Sequence, residues 1–203
     1  MKALGKGSIA SIVRTGLQIA WVVLWAAAVA LVLAAIGYAA TLVMIANGMI
    51  DANILTGGEG SIRMGRSGGS FDLTYDGPGG ATWPVVVPAL TIGAVAIAGS
   101  LVIVWRLRKL FDSFTSGEPF ARENATHLRV IWITMILIEI ARYALTAATA
   151  ALVMAVGDDH GVAVSQVEVT IDFSTWGAIL ILIVLAEVFR EGARLKEEQE
   201  LTI

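Results

Sequence analysis

Long apolar runs alternate with short polar segments along the chain. A hydrocarbon core of about 30 Å takes roughly 20 helical residues to cross, and four runs meet or approach that length. They predict transmembrane helices at 17–46, 83–105, 130–156 and 173–189. The first run is longer than the core is thick, so we expect this helix to tilt or protrude. It also exceeds a signal-peptide core of about 7–15 residues, which favours an uncleaved anchor after the short segment 1–16.

Two of the polar connections contain strand patterns. Residues 71–76 and 166–172 alternate apolar and polar side chains with period two, which is typical of half-buried strands. A third strand is expected near 61–64. Because isolated strands are unstable, we expect the loops 47–82 and 157–172 to form a small sheet together. The predicted fold is therefore an all-α integral membrane protein, a four-helix bundle with a small extracytoplasmic β cap.

The connection 106–129 has the pattern of a helical hairpin. Four apolar side chains recur at i, i+3, i+4 and i+7 and share one helical face: Leu107, Leu110, Phe111 and Phe114. Gly117 and Pro119 end this helix and allow a second one to begin. The tail 190–203 is expected to continue the fourth span as a helix.

Composition supports the membrane class. The chain has 203 residues, 57% apolar and 15% charged, whereas soluble domains average about 45–50% apolar and about 25% charged. The absence of cysteine excludes disulfides, thiolate metal sites and cysteine nucleophiles. With a net charge of −3, the chain has no broad basic surface, and we expect no direct binding to nucleic acid.

The distribution of lysine and arginine predicts the orientation. Eleven of these residues lie in the segments 1–16, 106–129 and 190–203, whereas the other connections hold only Arg63 and Arg66. Positively charged connections stay on the cytoplasmic side of a membrane. Both termini and the hairpin are therefore predicted to be cytoplasmic.

Glu139 and Arg142 interrupt the third apolar run. An ionised side chain inside a bilayer costs several kcal/mol. Residues three apart share a helical face, so the two charges can neutralise each other. We favour a structural pair turned toward the other helices. The alternative is an ion-linked switch in a small transporter or channel component.

The sequence gives no sign of catalysis or of a cofactor. It has no Ser/His/Asp set and no paired-carboxylate site, and its two histidines, His127 and His160, are predicted on opposite sides of the membrane. Residues 158–160, Asp-Asp-His, could begin a metal site with Glu168 or Asp172, but one histidine beside acids is more typical of a solvated loop. We expect no enzyme activity, no metal and no cofactor.

Two segments resemble a known family. "LRKLFDSFTSGEPFARENATHLR" and the terminal "VFREGARLKEEQELTI" are similar to the uncharacterised bacterial membrane-protein family called domain of unknown function 2975. The matching positions are Leu110, Phe111, Gly117, Pro119, Phe120, Asn124, Leu128, Arg129, Val188, Phe189, Gly192, Leu195, Leu201 and Ile203. The resemblance implies a multi-pass protein of the bacterial inner membrane. Members are often encoded beside a small helix-turn-helix regulator.

The resemblance and the clustered inner charges together suggest a function. We expect a regulatory or scaffold protein whose segments 106–129 and 186–203 bind a small cytoplasmic DNA-binding protein. The candidate partner surface comprises Arg108, Lys109, Phe111, Phe120, Asn124, Arg129 and Arg194. Further partners are the lipid bilayer and, as an open alternative, other copies of the chain in a homo-oligomer.

Overall fold

The computed structural model describes residues 9–51, 60–66, 69–75, 83–115, 121–156, 162–168 and 172–200. Within these ranges the chain forms four helices: α1 (Ile9–Ala46), α2 (Trp83–Thr115), α3 (Arg122–Val156) and α4 (Phe173–Glu200). All four are long and apolar enough to cross a membrane, which is the pattern of a multi-pass membrane protein. The prediction of four long apolar helices is confirmed.

The helices extend beyond the predicted spans. α2 continues past Trp105 to Thr115, because the apolar face of the hairpin follows the apolar run without a break. α4 continues past Phe189 to Glu200. Ion pairs three and four residues apart support that extension, as such pairs stabilise a helix by a few tenths of a kcal/mol each. They are Arg190–Glu187, Arg194–Glu191 and Arg194–Glu198.

The described connections also contain three strands, β1 (Gly60–Arg66), β2 (Gly69–Tyr75) and β3 (Val162–Glu168). They form one antiparallel sheet in the order β1-β2-β3. In the register, Leu73 of β2 pairs with Ile62 of β1 and with Val164 of β3. An irregularity between Asp72 and Leu73 shifts the second pairing. β3 begins before the alternating segment 166–172.

The chain divides into two compact units. The first comprises Met1–Ala27, Ile97–Ile138 and Phe173–Ile203, and the second comprises Ala28–Ala96 and Glu139–Asp172. The core of the first unit consists of buried Leu110, Leu128 and Ala186, with partly buried apolar side chains packed against them: Leu107, Phe114, Trp132, Leu182 and Phe189.

Glycines allow close helix contacts within each unit. A Cβ atom added at Gly99 of α2 would overlap Cγ1 and Cδ1 of Ile138 on α3. In the second unit, a Cβ atom added at Gly93 would lie 2.8 Å from Cδ1 of Leu31 on α1. Small residues at such crossings let apolar helices approach where no hydrophobic effect draws them together.

One side of α1 is apolar and exposed. Large side chains along its length are more than half exposed, including Ile19, Val22, Val29, Leu33 and Ile36. Soluble monomers rarely expose so large a contiguous apolar surface. The residue pattern of α1 is therefore that of a helix whose outer face contacts hydrocarbon.

Candidate functional site

A groove of about 630 Å³ lies between the beginning of α3 and the end of α4. We call it the α3–α4 groove. Small and apolar side chains line part of it: Ala125, Trp132, Ile183, Ala186 and Ala193. Ala186 and Ala193 are buried. These alanines leave the space between the two helices open, because a larger side chain at either position would occupy it.

The two walls of the groove differ in how their charges are balanced. On α4, Arg190 pairs with Glu187, and Nη2 of Arg194 lies 2.9 Å from Oε1 of Glu191. On α3, the exposed Arg122 and Arg129 form no ion pair with any residue that the structure describes. Both arginines of the α4 wall are therefore paired with glutamates of the same helix, and Glu197 lines this wall outside those pairs, whereas the α3 wall presents two cations to an incoming molecule.

A buried hydrogen bond positions the α3 wall. Nδ2 of Asn124 donates to Oγ of Ser113 at 2.9 Å, joining the end of α2 to the beginning of α3. Asn124 is 1% exposed, so it cannot contact a partner in this conformation. This corrects its assignment to the candidate partner surface. An asparagine in a polar, charged hairpin looks exposed in sequence, and only packing reveals its bond to Ser113.

A stacked aromatic pair positions α4. The rings of Phe114 and Phe189 lie 5.8 Å apart with an interplanar angle of 24°. Both pack against the core of the first unit. The two helices that form the groove are thus both fixed to the end of α2.

The structure separates the predicted partner surface into groups. Arg129 and Arg194 line the α3–α4 groove, together with Arg122 and Arg190, which sequence reasoning missed. Arg108 and Phe111 line a separate cavity of about 170 Å³ with Arg14. Lys109 lies over the ring of Trp105. Phe120 lies outside the described residues. The sequence spacing of Arg122 and Arg190 does not predict that they share a groove, because they lie on different helices, α3 and α4.

Arg106 connects α2 to α3. Its Nη1 lies 3.3 Å from Nδ1 of His127. A guanidinium group can only donate, so Nδ1 of His127 is the acceptor and its proton resides on Nε2. Cζ of Arg106 also lies 4.5 Å from the centroid of the Trp105 ring.

The structure brings Glu139 and Arg142 together. Nη2 of Arg142 donates to Oε2 of Glu139, and their side chains are 25% and 8% exposed. Cζ of Arg142 lies 5.3 Å from the ring centroid of Tyr143, which therefore joins the pair despite its different angular position on the helix. The Tyr143 hydroxyl is buried and has no hydrogen-bond partner among the described residues.

The polar face of α3 is longer than the charge pair. Thr146 and Thr149 are both buried, and Oγ1 of Thr149 donates to the carbonyl oxygen of Leu145 at 2.7 Å. With Glu139 and Arg142 they repeat at i, i+3, i+7 and i+10, which places them on one helical face. Sequence reasoning missed these threonines, although their spacing from the charge pair was a usable signal.

The described residues contain no group of three or more His, Cys, Asp or Glu side chains that could hold a metal ion. The sequence 158–160, considered above as the start of such a site, lies outside the described residues.

A family model described as "Protein of unknown function (DUF2975)" matches residues 78–203. The matched region includes α2, α3 and α4, and therefore the entire α3–α4 groove. No curated protein and no solved structure matches the chain. Since the match covers more than half of the sequence, the chain belongs to the DUF2975 family.

Proposed function

We propose that this protein is a membrane-embedded regulatory or scaffold protein of the bacterial inner membrane, and that its α3–α4 groove binds a small cytoplasmic helix-turn-helix regulator. The observation that carries the proposal is the groove itself, in which the hairpin and the tail combine small apolar side chains with the charges of Arg122 and Arg129. The role is binding rather than catalysis.

The lysine and arginine distribution supports a cytoplasmic location for the groove. Eleven of these residues lie in the segments 1–16, 106–129 and 190–203, and the last two segments contribute residues to the groove. The connections on the opposite side hold only two. In this orientation the three-stranded sheet lies on the extracytoplasmic side, where it could receive an envelope signal. A soluble regulator would meet the groove from the cytoplasm.

The dimensions and charges of the groove favour an amphipathic helix as its occupant. Such a helix binds by placing its apolar face against an apolar groove and its polar residues against the rim. Arg122 and Arg129 are seven residues apart, about 10 Å along α3. The matching helix would therefore carry acidic residues two turns apart beside its apolar face.

The proposal is tested by neutralising the α3 wall. The full-length protein and the variant Arg122→Gln/Arg129→Gln are purified from cells, and co-purifying proteins are identified by mass spectrometry. We expect a helix-turn-helix protein with the wild type and at least a fivefold lower yield with the variant. The control Arg14→Gln/Arg108→Gln removes two charges outside the groove. Equal loss in both variants, or no such protein with the wild type, contradicts the proposal.

A second candidate function, a transporter or channel component, is favoured by the polar face of α3. Transport pathways place several polar side chains along one face. Glu139, Arg142, Thr146 and Thr149 meet that description within one helix. The binding function remains our leading proposal, because Glu139 and Arg142 already satisfy each other and α3 alone supplies this face.

A further inference from the structure

Three cations follow the end of the apolar run of α2, and each lies over an indole ring. Nζ of Lys109 is 4.2 Å from the centroid of Trp105, and Cζ of Arg106 is 4.5 Å from the same centroid. Cζ of Arg108 lies 5.5 Å from the centroid of Trp21 on α1. Tryptophans are enriched where a membrane-spanning helix enters the headgroup region. The cations of α2 therefore lie at the level where phospholipid phosphates are found.

The two cations that contact Trp105 are not neutralised within the described structure. Neither Arg106 nor Lys109 forms an ion pair with a described carboxylate. The acid nearest in sequence, Asp112, has its Oδ1 3.4 Å from Nη2 of Arg14. Two like charges held against one aromatic ring repel each other, so an anion between them would stabilise the arrangement.

The surroundings of Arg106 favour a phosphate oxygen as that anion. Nη1 of Arg106 donates to His127, which fixes the guanidinium group in place. Nε of the same side chain is buried without a hydrogen-bond partner among the described residues. A guanidinium group has five N–H donors in a planar fork, a geometry suited to phosphate. Lys109 adds an exposed ammonium group from the following turn.

We propose that Arg106 and Lys109, beside the ring of Trp105, form a binding site for the phosphate of an anionic phospholipid. A lipid is favoured over free phosphate because Trp105, 40% exposed, ends the apolar run and offers an apolar surface next to the cations. The site shares no residue with the α3–α4 groove. It requires only that α2 spans the membrane, so it can fail or hold independently of regulator binding.

Native mass spectrometry of the full chain in detergent tests this site. The protein is titrated with phosphatidylglycerol, with zwitterionic phosphatidylcholine and with inorganic phosphate. We expect preferential binding of phosphatidylglycerol. The variant Arg106→Gln/Lys109→Gln should bind it on the order of 25-fold more weakly, since one basic residue at a membrane surface changes the affinity about fivefold. Inorganic phosphate at equal concentration should not displace the lipid.

Two variants make the result specific. Arg122→Gln/Arg129→Gln removes the same amount of charge from the groove and should retain phosphatidylglycerol. Arg106→Lys/Lys109→Arg preserves both charges but removes the guanidinium group beside His127, so it should bind phosphatidylglycerol more weakly than the wild type and more tightly than Arg106→Gln/Lys109→Gln. If Arg106→Gln/Lys109→Gln fails to fold, Lys109→Gln alone, at an exposed position, should lower the affinity about fivefold.

Three outcomes would overturn the proposal. They are equal binding of the two lipids, equal loss of phosphatidylglycerol in the groove variant, and displacement of the lipid by inorganic phosphate. The last outcome would identify a soluble phosphate, rather than a lipid, as the ligand.

Discussion

Asn124 donates a hydrogen bond from Nδ2 to Oγ of Ser113 at 2.9 Å, across the turn between α2 and α3. This bond lies beneath the α3 wall of the groove and involves a side chain that is 1% exposed. A buried hydrogen bond stabilises the fold and fixes the orientation of the two side chains that it joins. Without this bond, each group would have lost hydration on burial with less compensation. We therefore expect Asn124 to help orient the beginning of α3, which carries Arg122 and Arg129, from a buried position.

Replacing Asn124 with alanine should destabilise the protein. Loss of a buried partner costs about 1–3 kcal/mol, and the Ser113 hydroxyl would lose the bond that it accepts from Asn124. We expect a lower thermal-unfolding midpoint in detergent and weaker regulator binding. Thr126→Ala, two residues away and exposed, serves as the control for stability and should leave the unfolding midpoint unchanged. Equal midpoints for the two variants would show that the bond contributes nothing measurable.

Gly99→Ala should weaken the crossing of α2 and α3. The new Cβ atom would overlap the side chain of Ile138, and overpacking of this kind costs about 1–3 kcal/mol. Gly37→Ala is the matched control, because a Cβ atom there meets nothing within 4 Å. Thermal unfolding in detergent should separate the two variants. The double change Gly99→Ala/Ile138→Ala removes the overlap. Its loss in free energy of unfolding should therefore be smaller than the sum of the losses in the two single variants. Strictly additive losses would contradict this prediction.

Glu139 and Arg142 should behave as a mutually neutralising pair in unfolding experiments. Removing one partner of a buried ion pair costs about 3–5 kcal/mol because the other group loses the opposite charge that compensated its burial. Glu139→Gln and Arg142→Gln should each destabilise more than Glu139→Gln/Arg142→Gln. A double-mutant cycle measures this coupling. If the single changes are harmless and the double change is worse, the pair is not structural.

The same double variant distinguishes binding from transport. Ion-coupled flux through α3 requires the charges of Glu139 and Arg142. We expect Glu139→Gln/Arg142→Gln to fold and to retain regulator binding. If wild-type protein in liposomes carries an ion flux that this variant loses, the transport function is supported. Flux that persists in the folded variant rejects the role of the pair in transport.

The absence of cysteine makes the orientation directly measurable. Single cysteines are introduced at Asp51, which precedes the sheet, and at Lys196 in α4. In spheroplasts, a membrane-impermeant maleimide should label Asp51→Cys, whereas Lys196→Cys should react only after permeabilisation. Ala94→Cys, within α2, is a control for residues inside the bilayer and should stay unlabelled in both conditions. The reverse pattern would place the groove outside the cell.

The helices were predictable because their signal is local. A run of twenty or more apolar residues has few alternatives to a membrane-spanning helix, whatever its neighbours are. The apolar face that includes Leu107 and Phe114 likewise indicated helical structure beyond Trp105. Local patterns place residues on a face, but they do not say which helix that face meets.

The groove could not be predicted in the same way. Arg122 and Arg190 are distant in sequence and line the same groove only because α3 and α4 pack on the end of α2. The burial of Asn124 depends on Ser113, eleven residues earlier, across a turn. The position of Gly99 opposite Ile138 likewise depends on helix packing. In contrast, the polar face through Thr146 and Thr149 could have been predicted from their heptad spacing to Glu139 and Arg142, although it was not.

In-cell photo-crosslinking from the groove tests whether the α3–α4 groove binds a small helix-turn-helix protein. A photoreactive residue is placed at Thr126 or Arg194, which line the groove, and at Lys109 as a control on the same predicted side of the membrane. Mass spectrometry then identifies what each position captures. We expect capture of a small helix-turn-helix protein from Thr126 and Arg194 but not from Lys109. Capture of only lipid or other copies of the chain at the groove positions would contradict it.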